Sequence, residues 1–220
     1  VTVEAGSRSI DLGKVIATAI FVSMALLNAQ AVWDGFNKDD TGALELTSTT
    51  LTFVFYVMLV VAYLRRGEAS ASDTSAVAWL AALTATASPF LIPLVRSGER
   101  ESGPAALVAV VIMLLGLTSM LWALSALGTS ISVIPQARIV VTHGPYRWVR
   151  HPLYTTELIT IVGLGLANAG PWPWVVVVCQ FGLQYFRARR EEVLLSRSLE
   201  GYAAYQRQVP MIIPGLSVRN

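Results

Sequence analysis

The chain has 220 residues, 54% of them hydrophobic and only 14% charged, with a formal net charge of +2 and a mean hydropathy of +0.58. That composition is too apolar for an ordinary soluble domain, and basic residues grouped beside apolar segments give no case for a nucleic-acid partner. A single cysteine, Cys179, excludes a disulfide framework or a cysteine-based metal site within one chain, and no other metal-ligand pattern stands out.

Six apolar segments follow one another, at residues 14–33, 47–64, 76–95, 104–127, 152–169 and 171–187, each near the ~20 residues that cross hydrocarbon as a helix. The expected fold is therefore all-α, a polytopic bundle of about six spans. Residues 1–127 would form four N-terminal spans, and residues 128–220 a catalytic region with a loop, a helix hairpin and a C-terminal helix and tail. Ala29-Gln30-Ala31 at the end of the first segment resembles a signal-peptidase site. Retention of that segment is the preferred reading; cleavage would leave five spans. In the third segment Pro89 and Pro93 each lack a helix donor, which predicts a kink or an early end.

Lys and Arg divide unevenly across these spans. With the first loop outside, Arg8, Lys14, Arg65, Arg66, Arg138, Arg147, Arg150, Arg187, Arg189, Arg190, Arg197, Arg207 and Arg219 share one side, and Lys38, Arg96 and Arg100 the other. The positive-inside rule then places both termini in the cytoplasm and Trp172 and Trp174 at the opposite headgroup boundary.

Between the fourth and fifth segments Gly144-Pro145 breaks regular structure. His151, preceding Pro152, is biased towards an extended backbone, so the chain enters the fifth helix as a shaped loop. Arg147, Arg150 and His151 supply donors beside the first turn of that helix, where Leu153 and Tyr154 carry free N–H groups. After the Asn168-Ala169-Gly170-Pro171 turn the sixth segment has no breaker from Val175 to Leu199 except Gly182. Its helix is expected to run on through Arg187, Arg189, Arg190, Glu191 and Glu192, with Arg187 and Glu191 on one face. Beyond it lie Tyr202, Tyr205 and a tail with Val209-Pro210 and Ile213-Pro214, suited either to lidding a pocket or to covering the helix. Charge clusters flanking one apolar hairpin mark a site, because burying charge near a membrane is costly.

Taken in order, Val141-Thr142-His143-Gly144-Pro145-Tyr146-Arg147-Trp148-Val149-Arg150-His151-Pro152-Leu153-Tyr154, then Arg187-x3-Glu191-Glu192-x2-Leu195, Tyr202-x2-Tyr205 and Val209-Pro210 resemble the isoprenylcysteine carboxyl methyltransferase family of integral membrane enzymes. The resemblance covers roughly residues 138–216. It implies methyl transfer from S-adenosylmethionine at the cytoplasmic face to a lipophilic acceptor entering from the bilayer. The expected location of the chain is the plasma membrane of a bacterium. Carried over by motif, His151, Tyr154, Glu191, Glu192, Tyr202 and Tyr205 hold the cofactor, while Arg150, Arg187 and Glu191 carry the catalytic roles, the two arginines nearest the acceptor. Three positions depart from the family pattern. Thr156 replaces a glycine, which implies a narrowed or reshaped pocket; Ser198-Leu199 replaces Phe-Gly; Met211 stands where Arg often follows Val-Pro.

The acceptor stays open between a carboxylate such as an isoprenylcysteine, a hydroxyl and an amine, as does the choice of Glu191 or Glu192 against the cofactor. A membrane reductase acting on sterols or isoprenoids with NADPH shares the His-Pro-x-Tyr loop and is the alternative. A non-catalytic scaffold is the third reading. Glu157, one turn from Tyr154, is placed to complete the pocket.

Overall fold

The computed structural model describes residues 12–38, 42–65, 71–73, 75–95, 97, 103–130, 136–137 and 139–215. Of the basic residues used for orientation, Arg8, Arg66, Arg96, Arg100, Arg138 and Arg219 lie outside these. All six apolar segments are helical. α1 (Leu12–Asn37) and α2 (Ala43–Leu64) form an antiparallel hairpin, closed at one end by Lys14 Nζ donating to the Leu64 carbonyl at 3.2 Å. Its core joins Ala17, Phe21, Leu59, Ala62 and Tyr63 to Leu124, and the Phe21 and Tyr63 rings meet edge to face at 5.2 Å. Leu26, Leu27, Trp33 and Phe36 of α1 remain exposed, as expected of a helix solvated by lipid rather than by protein.

The third segment divides as its prolines predict, into α3 (Ala76–Ala87), a 3-10 turn (Ser88–Leu91) and α4 (Ile92–Val95). Pro89 cannot donate to the Ala85 carbonyl four residues back. That carbonyl instead accepts from Gln180 Nε2 at 3.0 Å. The freed acceptor is thus satisfied by the sixth apolar segment.

α5 (Gly103–Leu127) packs on α2 and, most extensively, on α6 (Pro152–Leu166). Glycines on both helices permit the close approach. A Cβ at Gly116 would stand 2.8 Å from the Thr160 backbone nitrogen, and one at Gly163 would stand 2.9 Å from both the Ala109 oxygen and the Met113 nitrogen. Because the obstacle is backbone, Gly163→Val is expected to force the helices apart, costing roughly 1–3 kcal/mol, read as a lowered midpoint in thermal unfolding in detergent. The neighbouring Thr156 is buried, and its hydroxyl turns back to the Leu153 carbonyl at 3.0 Å. It is not among the residues that line the cleft described below.

α7 (Pro171–Ser198) is a continuous 28-residue helix, beginning after Gly170, whose φ of 104° turns the chain back beside Ser97. The expected extension through the charged run is present. Gly201, at φ 81°, then reverses the chain into α8 (Tyr202–Gln208). A two-residue antiparallel ladder, β1 (Ala71–Ser72) with β2 (Gln136–Ala137), pairs Ala71 with Ala137 and Ser72 with Gln136.

Lys14–Asn37 and Gly103–Leu127 are long and apolar enough to cross a membrane; Thr49–Leu64, Ala76–Ala87 and Pro152–Leu166 are apolar but shorter. α6 stops at Leu166 rather than 169, with Ala167 as its C-cap and the Asn168 amide donating to the Leu164 carbonyl at 2.8 Å.

Candidate functional site

The loop before α6 is fixed by apolar anchors. Val141, Tyr146 and Val149 are buried, Trp122 and Trp148 meet edge to face at 5.3 Å, and Gly144, at φ 60°, begins a 3-10 turn over Gly144–Arg147. Arg147 stands outside, exposed over the Trp148 indole at 4.7 Å, so it is not among the donors gathered at the site. Arg150 and His151 are turned inward, their backbone N–H groups donating to the Pro210 and Met211 carbonyls at 2.9 and 3.0 Å. Thr155 Oγ1 donates to the Ile212 carbonyl at 2.9 Å. The tail is a strap across the start of α6.

Glu192 is the hub. Its Oε1 accepts from Arg150 Nε at 2.7 Å, His151 Nε2 at 2.8 Å and Tyr202 OH at 2.8 Å; its Oε2 accepts from Arg150 Nη2 at 2.9 Å and Gln206 Nε2 at 2.5 Å. An ionised carboxylate only accepts, so the imidazole proton facing it sits on Nε2. Arg150 Nη1 reaches the Gln206 carbonyl at 2.7 Å and also the Val209 carbonyl, tying the fork to α8 and the tail. Tyr205 OH donates to the Tyr146 carbonyl at 2.6 Å, closing α8 on the loop.

Burial alone would raise the Glu192 pKa, but hydrogen bonds from His151, Arg150 and Tyr202 outweigh it and hold the group at about 2. Burial and the neighbouring carboxylates push the Tyr202 phenol up, so it stays a donor. A glutamate held below its unfolded value stabilises the fold fully above that unfolded value and loses the contribution as pH falls through the folded one. The stability difference between the wild type and Glu192→Gln is therefore expected to be constant above about pH 5 and to shrink towards about pH 2, followed by thermal unfolding across pH.

Glu191 takes the other face. Its Oε2 accepts from Tyr154 OH at 3.0 Å and lies 3.6 Å from His151 Nδ1, with the side chain 26% exposed towards a cleft. Tyr154 stacks on the His151 ring at 5.5 Å and carries the Arg187 guanidinium 4.8 Å over its own ring. The cleft, a partly open cavity of about 90 Å³, is lined by Glu191, Arg150, His151, the rings of Tyr146, Tyr154, Tyr202 and Tyr205, and Leu127, Leu153 and Leu195. Every expected cofactor residue except Glu192 lines this cleft; Glu192 stands behind it and organises it. Arg187 lies behind Tyr154, and Glu157 is not in the lining: it accepts from Gln180 Nε2 at 3.0 Å, deeper in the bundle.

Sequence reasoning passed over Gln206, Gln180 and Gln184. The last two, fully buried at i and i+4 in an apolar helix and continuing the face of Arg187 and Glu191, carried the available signal. It also missed Asp73, which accepts from Arg190 Nε and Nη2 at 2.9 and 2.6 Å and ties the α2–α3 connection to α7. Burial opposes ionisation of Asp73, but Ser75 and Arg190 lower its pKa. Among the described residues, no group of three or more His, Cys, Asp or Glu side chains is placed to hold a metal ion.

Fold and site together define a helical, membrane-type protein with a polar cleft at the end of an apolar hairpin. Residues 104–200, from α5 to the end of α7, match the family described as phospholipid methyltransferase, which is related to the isoprenylcysteine carboxyl methyltransferases that the motifs resemble. The chain is also 38% identical over 80 residues to the nickel-cobalt-cadmium resistance protein NccN of Alcaligenes xylosoxydans xylosoxydans, covering 36% of this chain and 38% of that protein. It is 36% identical over 80 residues to the cobalt-zinc-cadmium resistance protein CzcN of Cupriavidus metallidurans, covering 36% of this chain and 37% of that protein. The matched segment thus spans a little over a third of each relative.

Proposed function

We propose that the protein is a polytopic membrane methyltransferase that takes its methyl group from S-adenosylmethionine and passes it to a lipophilic acceptor at the cytoplasmic surface. The observation that carries this reading is the Glu192 hub, which binds the loop, the extended α7 and α8 around one cleft. The lining suits the cofactor: aromatic rings and leucines for a nucleoside, and the part-exposed Glu191 carboxylate for cationic or hydroxyl groups. When bound, S-adenosylmethionine supplies a methyl group already activated on a sulfonium. The protein's work is then to align and to exclude water.

In this reading His151, Tyr154, Tyr202, Tyr205 and Glu191 hold the cofactor. Glu192 holds His151 and Tyr202 in place, and Arg150, whose Nε, Nη1 and Nη2 all bond the hub or nearby carbonyls, fixes α8 and the tail. Arg187, on the bundle side of Tyr154, is the guanidinium towards which a carboxylate acceptor would be drawn. For an amine or hydroxyl acceptor Glu191 would receive the proton. In this reading the chain crosses the membrane six times, with the α7 extension, α8 and the cleft at the inner leaflet; the exposure of Trp172 and Trp174 supports an outer boundary at the start of α7.

Calorimetry on the purified chain tests the cofactor. S-adenosylhomocysteine is expected to bind and NADPH not to; the reverse result would favour the reductase. His151→Ala, which removes a cleft wall and one Glu192 donor, is expected to weaken S-adenosylmethionine about tenfold or more, and unchanged affinity would remove His151 from the site.

A further inference from the structure

A second polar layer lies behind the cleft, in the apolar part of the bundle. Gln180 Nε2 donates to Glu157 Oε1 at 3.0 Å and to the Ala85 carbonyl at 3.0 Å, while Gln180 Oε1 accepts from Ser88 Oγ at 2.6 Å. One turn further along α7, Arg187 Nη1 donates to Gln184 Oε1 at 2.9 Å. Glu157 follows Tyr154 by one turn of α6, and the Arg187 guanidinium stands 4.8 Å over the Tyr154 ring. Gln180 and Gln184 are fully buried and Arg187 is 7% exposed. Charge held there, inside an apolar bundle, needs a function or a partner.

We propose that Glu157, fixed by Gln180, is the counter-charge that allows the Arg187 guanidinium to stand behind Tyr154 next to a cationic sulfonium. Glu157 and Gln180 are thus positioning residues of the cleft. The inference rests on the cofactor reading above and extends it to α3, which precedes the family-matched segment. The logic is electrostatic. Tyr154 lines the cleft and carries Arg187 on its ring, so a positive charge brought into the cleft meets Arg187 through one aromatic side chain. Glu191 offsets Arg187 from the cleft side and is the group the sulfonium itself would engage. Glu157 offsets it from the far side, where no ligand competes. Gln180 can hold Glu157 in this orientation because its own amide is locked by the carbonyl that Pro89 releases and by the Ser88 hydroxyl. The break in the third apolar segment, in itself explained by its prolines, thereby becomes part of the site.

The test compares two ligands of nearly equal shape and different charge. Dissociation constants for S-adenosylmethionine, with its sulfonium, and S-adenosylhomocysteine, a neutral thioether, are measured by calorimetry on the full chain in phosphatidylcholine nanodiscs. In Glu157→Gln the ratio of the two constants is expected to move about tenfold against S-adenosylmethionine. Glu157→Asp keeps the charge and should hold the ratio within about twofold of wild type. The double variant Glu157→Gln with Arg187→Met removes both charges and should restore it, and this carries the test if the single variant does not fold. A merely structural role would weaken both ligands alike, so an unchanged ratio in Glu157→Gln, or an unrestored one in the double variant, overturns the proposal. A wild-type protein that binds neither compound overturns the cofactor reading and this inference with it, whereas binding with an unchanged ratio leaves the first standing.

Discussion

Glu192→Ala is expected to destabilise the protein by about 3–5 kcal/mol and to abolish cofactor binding, the largest effect of any single change at the site. The carboxylate is 3% exposed and receives donors from Arg150, His151, Tyr202 and Gln206. Removing it leaves a buried guanidinium without its counter-charge and three further donors without their acceptor. The penalty is that of stranded partners rather than of one lost ion pair. Because those partners belong to the loop and α8, the loss should be local first. Hydrogen exchange is expected to rise in α8 and in the Arg150–Tyr154 turn while the α1–α2 hairpin keeps its protection, and loss of protection throughout would show that the hub supports the whole bundle. Glu192→Gln should behave as a milder version, since an amide accepts through one oxygen only and presents an N–H to Arg150.

Much of this architecture is legible in the residue order, and what escapes it has physical causes. Apolar length fixes the helices, and Pro89 and Pro93 announce the break in the third segment. The continuity of α7 through its charged run follows from the lack of breakers. The sequence also brings the His151 loop and the Glu191–Glu192 helix under suspicion together, and they do meet. Roles within the cluster are harder to read. Glu191 and Glu192 are adjacent and chemically identical, and only the 100° rotation between successive helix residues decides that one faces the cleft and the other the hub. Arg150 and Arg187 read alike as acceptor-orienting groups, yet one forks onto Glu192 and the other lies on Tyr154. Gln180 is overlooked because an isolated amide in an apolar run has no motif. Its meaning depends on the Ala85 carbonyl, 95 residues away in sequence. The end of α6 at Leu166, with Ala167 as its C-cap, is likewise a feature that hydropathy does not register.

Glu191→Gln is expected to reverse the pattern of Glu192→Ala: a folded protein that no longer transfers methyl groups. Glu191 bonds Tyr154 alone among the described hydrogen bonds, with its side chain 26% exposed. An amide oxygen can still accept from the Tyr154 hydroxyl, so the change in stability should stay within about 0.5 kcal/mol. What disappears is a negative charge facing the cleft at the point where the sulfonium, or the proton of a protic acceptor, would be placed. Loss of one such preorganised electrostatic contact is worth about a hundredfold or more in turnover. The measurement is transfer of tritiated methyl from S-adenosylmethionine into a membrane lipid extract, run beside thermal unfolding of the same preparation. The pH profile separates the two possible duties of this carboxylate. If Glu191 only complements positive charge, residual transfer by Glu191→Gln is low at every pH. If it accepts a proton from an amine, residual transfer climbs as pH rises, because solution deprotonates the acceptor in its place. Wild-type rates in Glu191→Gln at neutral pH would remove Glu191 from the reaction, while leaving the Glu192 hub as a structural device that shapes the cleft.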